Sequence, residues 1–293
     1  MNRPAEWPTL GLIVFCSAAI LYLSLASQAW PTWLVVVLLS VMLALHSSLQ
    51  HEVLHGHPFA KAWLNELLVC IPFGLFVPYR RFRDTHLEHH IDERLTDPYD
   101  DPESNYLDPA VWVQLPQWQR KLLRFNNTLS GRLLVGPAIG MWSFYHKDCS
   151  AMCAGDRAII HAYLVHGITL APWLFALNVA GSLSALAYGL AAYLALSLLR
   201  VRTFLEHRAN PSVPGRTVVI EDRGFFAFLF LNNNYHLVHH MHPRVCWFEL
   251  PGLYDSQRER YLQRNGGYVY PHYRAVFSRY WRRAKDPVPH PLR

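Results

Sequence analysis

Apolar residues run without a charged break over two long stretches of the chain. From Trp7 to His51 there is no Asp, Glu, Lys or Arg across 45 residues, and the same holds from Ala158 to Leu199 across 42. A membrane-spanning helix needs about 20 apolar residues, so each stretch is long enough for two. Each also carries a turn signal near its middle, Trp30-Pro31-Thr32 in the first and Asn178 to Ser182 in the second. The pattern predicts two helical hairpins, with spans near 9–29, 32–50, 158–177 and 182–200. The first span is too long for a removable signal peptide and lacks a small-residue cleavage pattern before Pro31. A shorter apolar run, 63–78, contains Asn65 and Glu66 and is interrupted by Pro72 and Gly74. It is expected as an interfacial or re-entrant helix, and 129–142 is expected to lie along the surface in the same way.

Composition agrees with a membrane class. Hydrophobic residues make up 52% and charged residues 16%, against about 25% charged in soluble proteins. The expected fold is therefore an all-α membrane protein forming a single domain over 1–293. Four transmembrane helices and interfacial helices carry a histidine-rich helical cap built from 51–157 and 201–293. Of the 27 Lys and Arg, one precedes the first span, 11 lie between 61 and 157, and 15 follow from Arg200. The hairpin turns have none, so both termini and the cap are expected on the cytoplasmic side. The net charge of +6 then faces one side, suited to anionic headgroups or an acidic protein. Nothing resembles a nucleic-acid-reading module. Five cysteines without a CxxC give no disulfide framework and no Cys-ligated metal.

Seventeen histidines change the picture. His51-Glu52-Val53-Leu54-His55 reads as HExxH, which alone suggests a zinc peptidase with Glu52 as base. His57 follows it closely. Two further windows have HxxHH spacing: His86, His89 and His90, then His236, His239 and His240 with His242 beyond. In a helix, positions i, i+3 and i+4 share a face, so each window projects its imidazoles together. A lone histidine on an apolar face is usually a satisfied core residue, but buried rings in such numbers each need a partner. His51 and His207 fall just beyond the ends of the second and fourth spans, so all these windows can meet at one membrane face. Zinc takes three or four protein ligands; eight or nine imidazoles ask for two metal ions. His46, His161 and His166 lie within spans, where structural hydrogen bonds or the lining of a substrate channel are expected.

The stretches "QHEVLHGHPF", "RFRDTHLEHH", "LRVRTFLEHRA" and "NNNYHLVHHMHP" resemble the membrane fatty-acid desaturase and hydroxylase superfamily. The run "HIDERLTDPYDDPES" adds a likeness to its bacterial desaturase-like branch. The resemblance implies a non-haem di-iron centre held by His51, His55, His86, His89, His90, His207, His236, His239 and His240. Acyl-CoA members place an Asn four residues before the histidine that matches His207; here Thr203 departs from that pattern. Expected to support the ligands are Glu52, Asp84, Glu88, Glu206, Asn234, His57 and His242, with Asp92, Glu93 and Glu249 as further acidic candidates.

Such a centre suits the removal of hydrogen from an unactivated alkyl chain, which no amino-acid side chain can perform without a redox metal and O2. The expected activity is O2-dependent desaturation of a fatty acyl lipid. The chain has neither an iron–sulfur Cys spacing nor a dinucleotide Gly fingerprint. Electrons must then come from a separate carrier, a ferredoxin, rubredoxin or small cytochrome. Arg80, Arg81 and Arg83 are the candidates for docking that carrier or a lipid headgroup. Two alternatives stay open: hydroxylation or ketolation of a lipid or carotenoid at the same centre, and an intramembrane zinc peptidase using HExxH at 51–55.

Overall fold

The computed structural model describes residues 6–292. In chain order the first ten helices are α1 (Trp7–Leu25), α2 (Thr32–Leu54), α3 (Ala62–Leu68), α4 (Tyr79–His89), α5 (Pro109–Gln114), α6 (Gln117–Asn126), α7 (Leu129–Leu134), α8 (Gly136–Cys153), α9 (Arg157–Ala180) and α10 (Ala185–Thr203). Then follow β1 (Val219–Ile220), α11 (Phe225–Leu229), α12 (His236–Met241), α13 (Leu250–Ser256), α14 (Arg258–Arg264), β2 (Val269–Tyr270) and α15 (Tyr273–Tyr280). The chain is thus nearly all-helical, and four helices, α1, α2, α9 and α10, are long and apolar enough to cross a membrane.

Local chemistry sets the helix ends. Pro8 sits in the first turn of α1, where a missing N–H is harmless. Asp156 caps α9, accepting from the amides of Ala158 (2.9 Å) and Ile159 (3.1 Å), a contact worth about 1 kcal/mol. Helix α2 runs past the expected end at 50 because no breaker intervenes before Gly56, whose φ of 95° suits glycine. HExxH therefore lies in the last turn and cap of the helix.

Two compact units emerge, one formed by the chain up to Asp84 with Ala138–Leu198, the other by Thr85–Pro137 with the chain from Leu199 onward. In the first, α1 packs on α2, and the Ser27 amide reaches Ser182 Oγ (2.9 Å). The helix expected over 63–78 is short, ending at Leu68, because Pro72 and Gly74 break it and Leu75 takes φ 65°. The freed carbonyls are satisfied by side chains: Tyr188 donates to Phe73 O (2.9 Å), His166 to Leu75 O (2.9 Å) and Tyr145 to Phe76 O (2.5 Å). Residues 129–142 divide between α7 and the first turns of α8.

In the second unit, β1 and β2 pair in parallel, Val219 with Val269 and Ile220 with Tyr270. Around this ribbon Tyr235, Leu237, Val238, Leu250, Tyr254 and Tyr261 form a buried core. Leu237 and Val238 are the two apolar residues inside HLVHH, each worth about 1.5–3 kcal/mol when fully buried. Their burial against the core fixes the rotation of α12 and hence the side on which His236, His239 and His240 stand.

Candidate metal centre

Seven of the nine expected ligands lie in the second unit, and they gather as a group of four and a group of three. His89, His207, His236 and His240 offer nitrogens that all lie within 4.8 Å of one another. His207 Nε2 is 2.9 Å from His89 Nε2 and 3.0 Å from His236 Nε2. In the other group, His90 Nε2 is 3.0 Å from His86 Nε2 and 3.2 Å from His239 Nε2. The remaining two, His51 and His55 of the first unit, set their rings edge-on 4.9 Å apart, as i and i+4 of α2 dictate.

The outward nitrogens explain why these rings face one another. His89 Nδ1 donates to Asp101 Oδ1 (2.8 Å) and His86 Nδ1 to Glu103 Oε1 (3.0 Å). His240 Nδ1 donates to Asp92 Oδ1 (3.0 Å) and His236 Nδ1 to Asn233 Oδ1 (3.1 Å). In a neutral ring an oxygen acceptor on Nδ1 assigns the proton there and leaves Nε2 as a lone pair. His207 Nε2 stands about 3 Å from two such nitrogens and can donate a proton to only one of them at a time, whereas a cation among the three would satisfy all. Two imidazole nitrogens on one ion, each at about 2.1 Å, stand roughly 3–3.5 Å apart, which these spacings match. His240 Nε2 is buried and makes no hydrogen bond to the described residues, an unfavourable state that coordination would remove. The donor set fits a metal, and imidazole suits iron, zinc, copper or nickel.

Electrostatics keep most of the group ready to bind. Burial pushes His207 and His236 far below the usual imidazole range and His240 down to about 4, so all three are neutral near pH 7. His89 differs: burial pulls it down, but Glu103 and Asp101 outweigh burial and lift it to about 9. An incoming cation must therefore displace a proton there. Glu103 is itself held well below the carboxylate range, because His89 and His86 outweigh its burial.

The expected supporting residues divide. Glu206 is buried, 3.1 Å from Arg202 Nε, and accepts from Asn233 Nδ2 (3.2 Å), with His236 Nδ1 at 3.8 Å. Glu52 Oε1 lies 4.0 Å from His51 Nδ1. Asp84 pairs with Arg83 and Glu88 with Arg94, both carboxylates largely exposed. Asn234 pins α12 to the ribbon, donating to Ile220 O (2.6 Å) and Asp222 O (3.0 Å); its neighbour Asn233 is the one that reaches an imidazole. His57 is buried against Glu6, Nδ1 to Oε2 2.7 Å. His242 ends α12 beside the Tyr261 ring. Within the spans, His46 stands edge-on to Phe73 and His161 Nδ1 is 3.2 Å from Arg80 Nη1. Thr203 Oγ1 is buried without a hydrogen bond to the described residues. Arg80 donates to Glu66 (2.6 Å) and Arg81 holds Asp148 through two bonds of 2.9 and 2.8 Å. Sequence reasoning had missed Asp101 and Glu103; both lie in the acidic run after the second window, which was their only signal.

Four membrane-length apolar helices and a buried, carboxylate-braced histidine cluster that could hold metal describe an integral-membrane protein with a candidate metal centre. The chain belongs to the fatty acid desaturase family, whose model matches residues 28–273. No match was found among individually curated proteins.

Proposed function

We propose that this protein is an O2-dependent di-iron desaturase of a fatty acyl lipid, drawing electrons from a separate carrier. The observation that carries the reading is the division of seven imidazoles into groups of four and three, with His86, His89, His236 and His240 braced outward by oxygen acceptors. His89, His207, His236 and His240 would hold one iron. His86, His90 and His239 would hold the other, and the family resemblance adds His51 and His55 to the ligand set. The irons supply the redox chemistry with O2 that removes hydrogen from an unactivated alkyl chain.

The protein's own residues do the rest. Asp101, Glu103, Asp92 and Asn233 fix the imidazole tautomers and ring directions, so the ligands need no reorganisation to bind. Glu52 orients His51 and has no role as a protease base. The lysine and arginine distribution supports placing both termini and the histidine cap on the cytoplasmic side, and the likeness to the bacterial branch supports a bacterial inner membrane. All three arginines pair with acids, and Arg81 is the most buried, so the docking role narrows to Arg80 and Arg83, which keep about a third of their surface exposed (30% and 35%).

Expression in a bacterium with a simple lipid profile, followed by mass spectrometry of extracted acyl chains, tests the proposal. New double bonds without incorporated label under ¹⁸O2 are the expected result. Label in the product would replace desaturation by hydroxylation at the same centre. One zinc per chain and no change in lipids would overturn the reading in favour of peptidase chemistry.

A further inference from the structure

The residues after α15 have no part in the reading above, although they run as a strap along the second unit. The Leu107 amide donates to Val288 O (3.0 Å) and the His290 amide to Leu107 O (2.8 Å). The Lys285 amide donates to Asn127 O (3.0 Å), and Asn127 Nδ2 to Asp286 O (2.5 Å). Paired backbone groups fix the path of the strap.

From this path two contacts reach the four-histidine group. Lys285 Nζ donates to the backbone carbonyl of His207. Beside it, Asp286 Oδ2 accepts from Tyr106 OH (2.6 Å), and the same hydroxyl accepts from the Ala209 amide (3.0 Å). The Lys285-Asp286 pair thus grips the chain at His207 and, through one hydroxyl, at Ala209. Further along, His290 Nε2 lies 3.3 Å from Thr96 Oγ1, and the Thr96 amide donates to Asp101 Oδ2 (2.9 Å). Asp101 is the carboxylate that braces His89. Thr96 has φ 72°, an unfavourable conformation for a β-branched residue. It holds there with both its amide and its hydroxyl engaged, as strained residues at functional sites do.

An apolar side chain would serve packing alone, and Val288 of the same strap does so. Lys285 is largely buried (11% exposed), with Asp286 Oδ2 at 3.4 Å, and burying an ammonium is unfavourable without such partners. Its place against a ligand's own carbonyl has a more specific use than filling space. We propose that the 281–290 strap positions the four-histidine group, Lys285 acting on His207 and His290 acting on His89 through Thr96 and Asp101. This rests on reading that group as a metal site.

The test uses the full-length protein in detergent, stripped of metal and titrated with cobalt(II). Ions per chain, visible absorption and thermal unfolding are followed for wild type, Lys285→Met, Lys285→Arg, His290→Phe and Val288→Ala. In Lys285→Met and His290→Phe one of two cobalt positions should weaken at least tenfold and shift its absorption band. Lys285→Arg should recover most of the wild-type spectrum. Val288→Ala should lower the unfolding temperature with the spectrum unmoved. If Lys285→Met does not fold, His290→Phe decides by the same readout. Wild-type affinity and spectrum in the folded variants, or a Val288→Ala spectrum shifted like theirs, would overturn the strap's role alone. A wild-type chain that binds no cobalt would overturn the metal reading itself.

Discussion

His89 Nδ1 and Asp101 Oδ1 lie 2.8 Å apart, each side chain only 2% exposed. Asp101 also accepts the amides of Thr96 and Glu103, so its carboxylate cannot rotate away from the imidazole. Asp101→Asn keeps the shape and removes the charge that holds His89. Metal affinity is expected to fall roughly 10- to 100-fold, measured as iron retained per chain after dialysis against a weak chelator.

His240 has one nitrogen committed to Asp92 and the other buried without a hydrogen bond to the described residues. His240→Ala should therefore cost one metal position, taking iron from about two to about one per chain on the two-iron reading. His146→Ala, on α8 and outside the groups, is the control and should retain both.

Acid should loosen the ribbon region through Glu221. Its carboxylate is held below the usual range, chiefly by the hydrogen bond from Arg258 with a second from Tyr254, against the opposing effect of burial. A depressed carboxylate stabilises the fold above its unfolded pKa of about 4.3, and that contribution fades as pH falls through the folded value. Wild type should melt above Glu221→Gln at pH 7, and in detergent-based thermal unfolding the gap should start to narrow as pH drops past about 4 and close only below the depressed folded value.

Tyr188 OH is shared between Trp173 Nε1 (3.2 Å) and the Phe73 carbonyl (2.9 Å). Tyr188→Phe would leave a buried donor and a buried acceptor unmet, at a cost of about 1–3 kcal/mol each. The expected outcome is a clear loss of thermal stability with iron content unchanged.

The helices and the histidine windows were legible in the sequence because both depend on local period. A charge-free run of membrane length can hardly be anything else, and HxxHH has one meaning on a helix. The braces were not legible, because they come from loops, where no period says which side chain turns inward. Asp97, Asp100, Asp101 and Glu103 read alike in the acidic run, and tertiary contacts choose Asp101 and Glu103. Among three consecutive asparagines, left-handed turns at Leu231 and Asn232 decide that Asn233 meets His236 while Asn234 meets the ribbon. Asp84 and Glu88 sit close to ligands in sequence, yet the helix turns both toward arginines.

The broken segment at 72–76 has a mechanical consequence for the apolar helices around it. Phe73, Leu75 and Phe76 each take a hydrogen bond from a different helix, through Tyr188 of α10, His166 of α9 and Tyr145 of α8. Smooth apolar helices can slide lengthwise past one another at small cost, since one greasy turn packs much like the next. Here a slip of one turn, about 5.4 Å, would pull a donor off its carbonyl. The segment works as a key in a lock barrel, holding three rods at one depth while leaving the sides of α9 and α10 free to meet lipid.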